Sequence, residues 1–193
     1  MLRRLYDGTM NLAARRDAVW ALAAIAFVEG FFFPIPPDVL LIPMVLAARD
    51  RAWFYAVVCT AASVAGGTFG YAIGWFLFEA VGEPILAFYG HREAFAAFGA
   101  RYNEWGAWIV FTAGFTPFPY KAVAIASGAT RLDPATFVAA SVLARGLRFV
   151  IVAALLYWIG PPIRAFIERR LGPVTLVFVA LLLGGFVVAK YVL

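Results

Sequence analysis

Charge is what this sequence has least of. Asp, Glu, Lys and Arg make up 14% of its 193 residues, against 64% hydrophobic residues, and its mean hydropathy is +0.87. A soluble domain carries about 25% charged residues and about 45–50% apolar ones. So little polar surface cannot cover a globule in water, which predicts an integral membrane protein of one compact domain. Cysteine and histidine are also scarce, with only Cys59 and His91. A single cysteine excludes an intrachain disulfide and a thiolate metal cluster. A single histidine, placed outside the apolar runs, leaves no intramembrane zinc site and no Ser-His-Asp arrangement. No Gly-rich phosphate loop for a nucleotide occurs. No metal or cofactor is expected, and no enzymatic activity.

The charge that is present is mostly basic, with a net +5. Its arginines cluster at the ends of apolar runs, which points to membrane topology and anionic lipid head groups rather than nucleic acid. Residues 1–17 read as an interfacial helix rather than a cleavable signal. Residues 18–48 form an apolar unit broken in its middle. Residues 52–78 read as a full crossing, with Gly66, Gly70 and Gly74 giving one face for close helix contact. Residues 79–104 read as an amphipathic segment at the interface, and 105–130 as a second broken unit. Asp133 is placed to cap a helix that starts at Pro134 and crosses over 134–159. Gly160-Pro161-Pro162 is expected to stop it, and 173–192 to be a final crossing. Trp53, Trp105, Trp108 and Trp158 fall near run ends, where aromatic belts form.

The two broken units share a pattern. Gly30-Phe-Phe-Phe-Pro34-Ile-Pro36-Pro-Asp38 and Gly114-Phe-Thr-Pro117-Phe-Pro119-Tyr-Lys121 both run from Gly-Phe through Pro-x-Pro to a charge, acidic in one and basic in the other. Each proline lacks an N–H donor and disfavours helix for the residue before it, so Pro34, Pro36, Pro117 and Pro119 mark helix breaks. Each half-unit spans roughly half the ~30 Å hydrocarbon core. If both units are re-entrant, nine arginines from Arg3 to Arg170 share one face against Arg92, Arg101, Arg131 and Lys190. If both span, the split weakens to seven against six. The first arrangement better fits a cytoplasmic face with the N-terminus inside. The expected fold is therefore an all-α polytopic membrane protein with two inverted re-entrant hairpins and about three full transmembrane helices. In inverted-repeat transporters such broken helices meet at the midplane, which places Asp38 and Lys121 at similar depth.

Five ionisable residues fall within apolar runs: Glu29, Asp38, Lys121, Arg145 and Arg148. Each is costly there and marks a candidate site. Arg145 and Arg148 are three apart and share a helix face. The acids can pair with two cations and merely lock the units together. Three cations facing two acids nevertheless leave one positive charge over, and arginine suits a phosphate. Lys121, Arg145 and Arg148 are the expected substrate-binding residues; Glu29 and Asp38 would organise the site and can take up protons.

Taken with Phe27-Val-Glu29, Ala144-Arg145-Gly-Leu-Arg148-Phe149 and their spacing, these segments resemble the DedA membrane protein family, also described by its VTT or SNARE-associated domain, and in particular its YqaA-like branch. The resemblance implies paired re-entrant hairpins in the bacterial inner membrane. It also implies lipid transport by a flippase or scramblase, acting on undecaprenyl phosphate or phospholipid in support of envelope homeostasis and dependent on the proton-motive force. The family's functional acids and arginines map onto Glu29, Asp38, Arg145 and Arg148. Many members carry arginines flanking the second-hairpin proline, where this chain has Thr116 and Lys121. The expected function is translocation of an anionic, phosphate-bearing lipid. The alternatives are a membrane-embedded enzyme acting on a lipid phosphate and a structural or assembly protein; a homo-oligomer is left open.

Overall fold

The computed structural model describes residues 17–32, 36–116 and 118–160, with the helix backbone continuing over 161–169. No strand occurs among the described residues. The helices are α1 (Ala18–Glu29), α2 (Asp38–Ala47), α3 (Ala52–Leu77), α4 (Glu83–Phe88), α5 (Arg92–Glu104), α6 (Gly106–Phe115), α7 (Tyr120–Ala129) and α8 (Pro134–Arg169). A 3-10 turn at Arg49–Arg51 leads into α3 and a π-helical segment at Phe78–Gly82 joins α3 to α4. The chain is thus helical from Arg49 to Phe88. This stretch and Pro134–Gly160 are long and apolar enough to cross a membrane. The interfacial helix over 1–17 (Asp17 apart), Pro34, Pro117 and the crossing over 173–192 lie outside the described residues.

Each broken unit is a pair of short helices, of 12 and 10 residues in the first and 10 and 10 in the second. At 1.5 Å per residue each is about 15–18 Å long. The second break leaves helical space at Thr116 (ψ 169°) and at Pro119 (ψ 88°). The packing partners of the halves are exchanged between units. The first half α1 lies on α3 and the second half α2 on α8, whereas α6 lies on α8 and α7 on α3.

Close approach on α3 depends on missing side chains. A Cβ added at Gly66 would overlap the Phe27 carbonyl of α1, and one at Gly74 the Ile125 carbonyl of α7. The glycine stripe therefore serves both units, one at each end, with Gly70 between Phe31 and Ala124.

Two apolar cores result. One joins Leu22, Leu41, Met44, Val45 and Cys59 to Phe149 and Ala153 of α8. The other joins Tyr71, Val110, Tyr120 and Val123 to Phe137 and Ala140 of α8. Between them α3 contributes Ser63 and its glycines, and α8 contributes Arg145 and Arg148.

Two expectations are corrected. Gly160-Pro161-Pro162 does not stop the last described helix, which runs to Arg169. Proline fixes φ near the helical value, so the run loses N–H donors, to the carbonyls of Tyr157 and Trp158, without losing its course. Residues 79–104 form two helices rather than one segment. They turn at Gly90, whose φ is +71°, and His91 N–H donates to Leu86 O at 2.9 Å across the turn, a Schellman-type ending.

Two outcomes test this packing. Gly66→Ala and Gly74→Ala will lower the melting temperature in detergent. Gly146→Ala, whose new methyl would meet only Thr60 at 3.6 Å, will leave it unchanged or raise it, since alanine is favoured over glycine in helices by about 0.8–1.0 kcal/mol. Wild-type melting of Gly66→Ala would sink the account.

Asp133 caps α8 as expected: its carboxylate accepts the Thr136 N–H and the Thr136 hydroxyl, each at 2.8 Å. The Thr136 backbone bond, then its hydroxyl, holds this exposed carboxyl below its ordinary value. A lowered carboxyl contributes stability above its unfolded pKa and loses it as pH falls through the folded one. The melting-temperature gap between wild type and Asp133→Ala should accordingly be full at neutral pH and shrink as the pH drops below about 4.

Candidate functional site

Both breaks deliver charges to the polar layer. Glu29 is the last residue of α1 and Asp38 the first of α2, so the two acids flank the first break. Helix termini at this depth let short side chains project into the bundle without crossing a neighbouring turn. As a first-turn acid, Asp38 also gains from the helix dipole, by about 0.3–1 kcal/mol. Lys121 is the second residue of α7, just beyond the second break.

The four groups on and opposite α8 form two ion pairs. Arg145 Nη2 donates to Glu29 Oε2, and Arg148 Nη2 donates to Asp38 Oδ2 at 2.7 Å. With a three-residue spacing on one helix, the arginines hold both sides of the first break. The pairs differ in burial. The Arg145 side chain is 1% exposed and that of Arg148 23%, while Glu29 and Asp38 are 18% and 17%. Lys121 goes elsewhere: its Nζ donates to the backbone carbonyl of Phe32, inside the first break, at 3.2 Å. Asp38 and Lys121 thus do not pair with each other: Asp38 meets α8, and Lys121 meets the first unit.

The sequence reading missed the aromatic support. The Arg145 guanidinium lies 4.5 Å from the Tyr120 ring centroid and 5.6 Å from that of Phe149, and Arg148 lies 5.9 Å from Phe149. The Tyr120 hydroxyl donates to Ser141 Oγ at 2.7 Å. Signals for these residues existed: Tyr120 sits in the Pro-x-Pro-Tyr-Lys motif, Phe149 follows Arg148, and Ser141 is one helical turn before Arg145. Two polar atoms of the cluster, Asp38 Oδ1 and Arg145 Nε, are buried without a protein partner. The arrangement leaves a lysine whose partner is an uncharged carbonyl and two buried polar atoms open to further hydrogen bonds.

The fold and site define a class: an all-helical chain of two broken helical units, in which the first brings two acids to an arginine pair on a long apolar helix and the second sends a lysine to the first break. The chain belongs to the VTT-domain family, the DedA family, which matches residues 35–158 and whose members are generally membrane proteins. Asp38, Lys121, Arg145 and Arg148 lie within the matched range and Glu29 precedes it. An uncharacterized protein of Haemophilus influenzae is 37% identical over 167 residues, 86% of either chain. An uncharacterized protein of Histophilus somni is 33% identical over 167 residues, covering 86% of this chain and 87% of the relative. No solved structure matches.

Unequal burial predicts unequal costs. Removing one partner of a buried pair costs about 3–5 kcal/mol, because the remaining charge stays buried. Glu29→Ala, which strands Arg145, should therefore destabilise the protein by about that much in denaturant unfolding. Asp38→Ala, which leaves the more exposed Arg148, should cost clearly less. Equal losses would show that burial does not rank the two pairs.

Proposed function

We propose that this protein moves an anionic, phosphate-bearing lipid across the bacterial inner membrane, with Lys121, Arg145 and Arg148 receiving the head group. The observation that carries the reading is the balance of partners. Each acid is taken up by an arginine, and the third cation, Lys121, has an uncharged carbonyl as its partner. Lys121 also stands in the first turn of α7, where the helix dipole is positive and N–H groups extend beyond the reach of intrahelical carbonyls. A cation there is unfavourable until an anion arrives, and a helix N-terminus with a lysine beside it suits phosphate.

The surroundings support a lipid. Less than half of the most apolar 18-residue part of each long helix is buried, so both expose apolar surface as lipid-facing helices do. Phe54, Val57, Phe76, Leu143 and Trp158 lie on that surface. A groove of about 350 Å3 between α6 and α7, lined by Trp105, Trp108, Ile109, Thr116, Phe118 and Val123, offers room to a hydrocarbon chain. The exchange of packing partners between the broken units supports an inverted pair of re-entrant hairpins entering from opposite sides. The arginine bias supports a cytoplasmic N-terminus. On this reading Glu29 and Asp38 organise the site, and proton uptake by the acids would couple movement to a proton gradient. The two closed ion pairs favour a second reading, in which the charges only brace the bundle.

Reconstituted vesicles decide between them. Wild type should move tail-labelled phosphatidylglycerol between leaflets. Lys121→Ala should slow it roughly tenfold to a hundredfold, the equivalent of a charge-assisted hydrogen bond of about 1.5–3 kcal/mol. Arg148→Ala and Glu29→Gln should slow it too. Undiminished movement by Lys121→Ala removes that residue from the site. Cleaved lipid would instead indicate an enzyme, and a folded wild type that moves nothing would leave only the bracing role.

A further inference from the structure

We propose that Tyr120 is the positioning residue of this site, setting the Arg145 guanidinium against Glu29 and thereby tying the second broken unit to the first. The inference deepens the lipid-transport reading and rests on it for its functional part. Tyr120 is 1% exposed and stands between the two long helices. On the α8 side its hydroxyl donates to Ser141 Oγ at 2.7 Å, which fixes the ring by its far end. On the α3 side it lies against Gly67, where an added Cβ would be 2.6 Å from the ring carbon Cε1. A glycine at this one position of α3 is therefore what lets the ring in.

Arg145 lies over that ring at 4.5 Å. Its Nη2 goes to Glu29 and its Nε has no protein hydrogen-bond partner, while the rings of Tyr120 and Phe149 lie against the guanidinium. Such a contact is strongest where water is excluded, and this guanidinium is 1% exposed. A leucine would leave part of the ring's space empty and would neither attract the cation nor hold Ser141. Ser141 and Arg145 are one turn apart on α8, so the hydroxyl bond and the ring contact fix the ring and the guanidinium to one helical face. The second unit carries no acid near its break. Through Tyr120 it nevertheless bears on Glu29, while its neighbour Lys121 reaches into the first break at Phe32. Adjacent residues at the start of α7 thus both bear on the end of α1 and the turn after it, one through Arg145 of α8 and one directly.

A double-mutant cycle tests the coupling without relying on transport. Melting temperatures in detergent are compared for wild type, Tyr120→Leu, Glu29→Gln and the double variant. If Tyr120 acts through Arg145, the loss in the double variant is smaller than the two single losses together. Losses that simply add overturn the proposal. Should Tyr120→Leu not fold, Tyr120→Met, which also removes the ring, runs the same cycle with the same two outcomes. In vesicles carrying tail-labelled phosphatidylglycerol, Tyr120→Leu should move lipid about tenfold more slowly. Tyr120→Phe, which keeps the ring, should recover most of that rate. Equal rates for the Leu and Phe variants, after correction for folded protein, overturn the ring's role. A wild type that moves no lipid defeats the transport reading, and the melting cycle then decides the positioning role by itself.

Discussion

A guanidinium with 1% of its surface exposed between two apolar cores has to be matched, and much of the architecture follows from that need. Taking an ion out of water costs several kcal/mol even after relaxation. Helix α8 cannot supply the match to Arg145 itself, because its neighbours one turn away are Ser141 and Phe149. The acids must come from other segments at the same depth, on short side chains. A continuous helix would aim Glu or Asp sideways along its flank, whereas a helix that ends there presents the carboxylate at its tip. The first break does this twice, with Glu29 closing α1 and Asp38 opening α2. The proline-rich interruption is thus a means of bringing charge to charge inside an apolar bundle.

The two long helices are related in a way that makes the site one-sided. Gly30 presses on Gly66 of α3 in the first unit as Gly114 presses on Ala144 of α8 in the second. Counting from that pair, Ser63 corresponds to Ser141, Gly67 to Arg145 and Gly70 to Arg148. Where α8 carries guanidinium groups, α3 carries no side chain at all. The difference has consequences on both helices. Glycines let the broken units sit backbone to backbone on α3 and admit the Tyr120 ring, and the arginines collect the acids on α8. Cations on α3 as well would have had acids from only one unit to meet them.

Much of this could be read in advance, and the rest could not for definite reasons. The breaks were legible because a Pro-x-Pro cannot continue a helix, and α3 because its apolar run is bounded by Arg49-Asp50-Arg51 and striped with glycine. The candidate charges were legible because an ionisable residue in an apolar run is rare. Which acid meets which arginine was not, since it depends on how α1 and α2 seat on α3 and α8 across more than a hundred residues of sequence. The contacts of Tyr120 were not legible, because neither Gly67 nor Ser141 is near it in sequence. The passage of α8 through Pro161 and Pro162 ran against a rule that weighs lost hydrogen bonds above backbone angle. At this site the proline φ, which is already helical, won.

The same helix-end logic separates the two units in their electrostatics. Asp38 and Lys121 occupy matching places, at the start of a helix just past a break, yet the helix dipole treats them oppositely. A carboxylate at a helix N-terminus is stabilised there before any partner arrives, and Arg148 then completes it. An ammonium in that place is disfavoured by the same dipole, and the carbonyl it reaches brings no charge. The first unit is therefore electrostatically closed and the second electrostatically open. An anion entering beside Lys121 would relieve both the lysine and the end of α7, whereas one approaching Asp38 would be repelled. The asymmetry between the two units thus follows from which of two equivalent helix starts carries the basic residue.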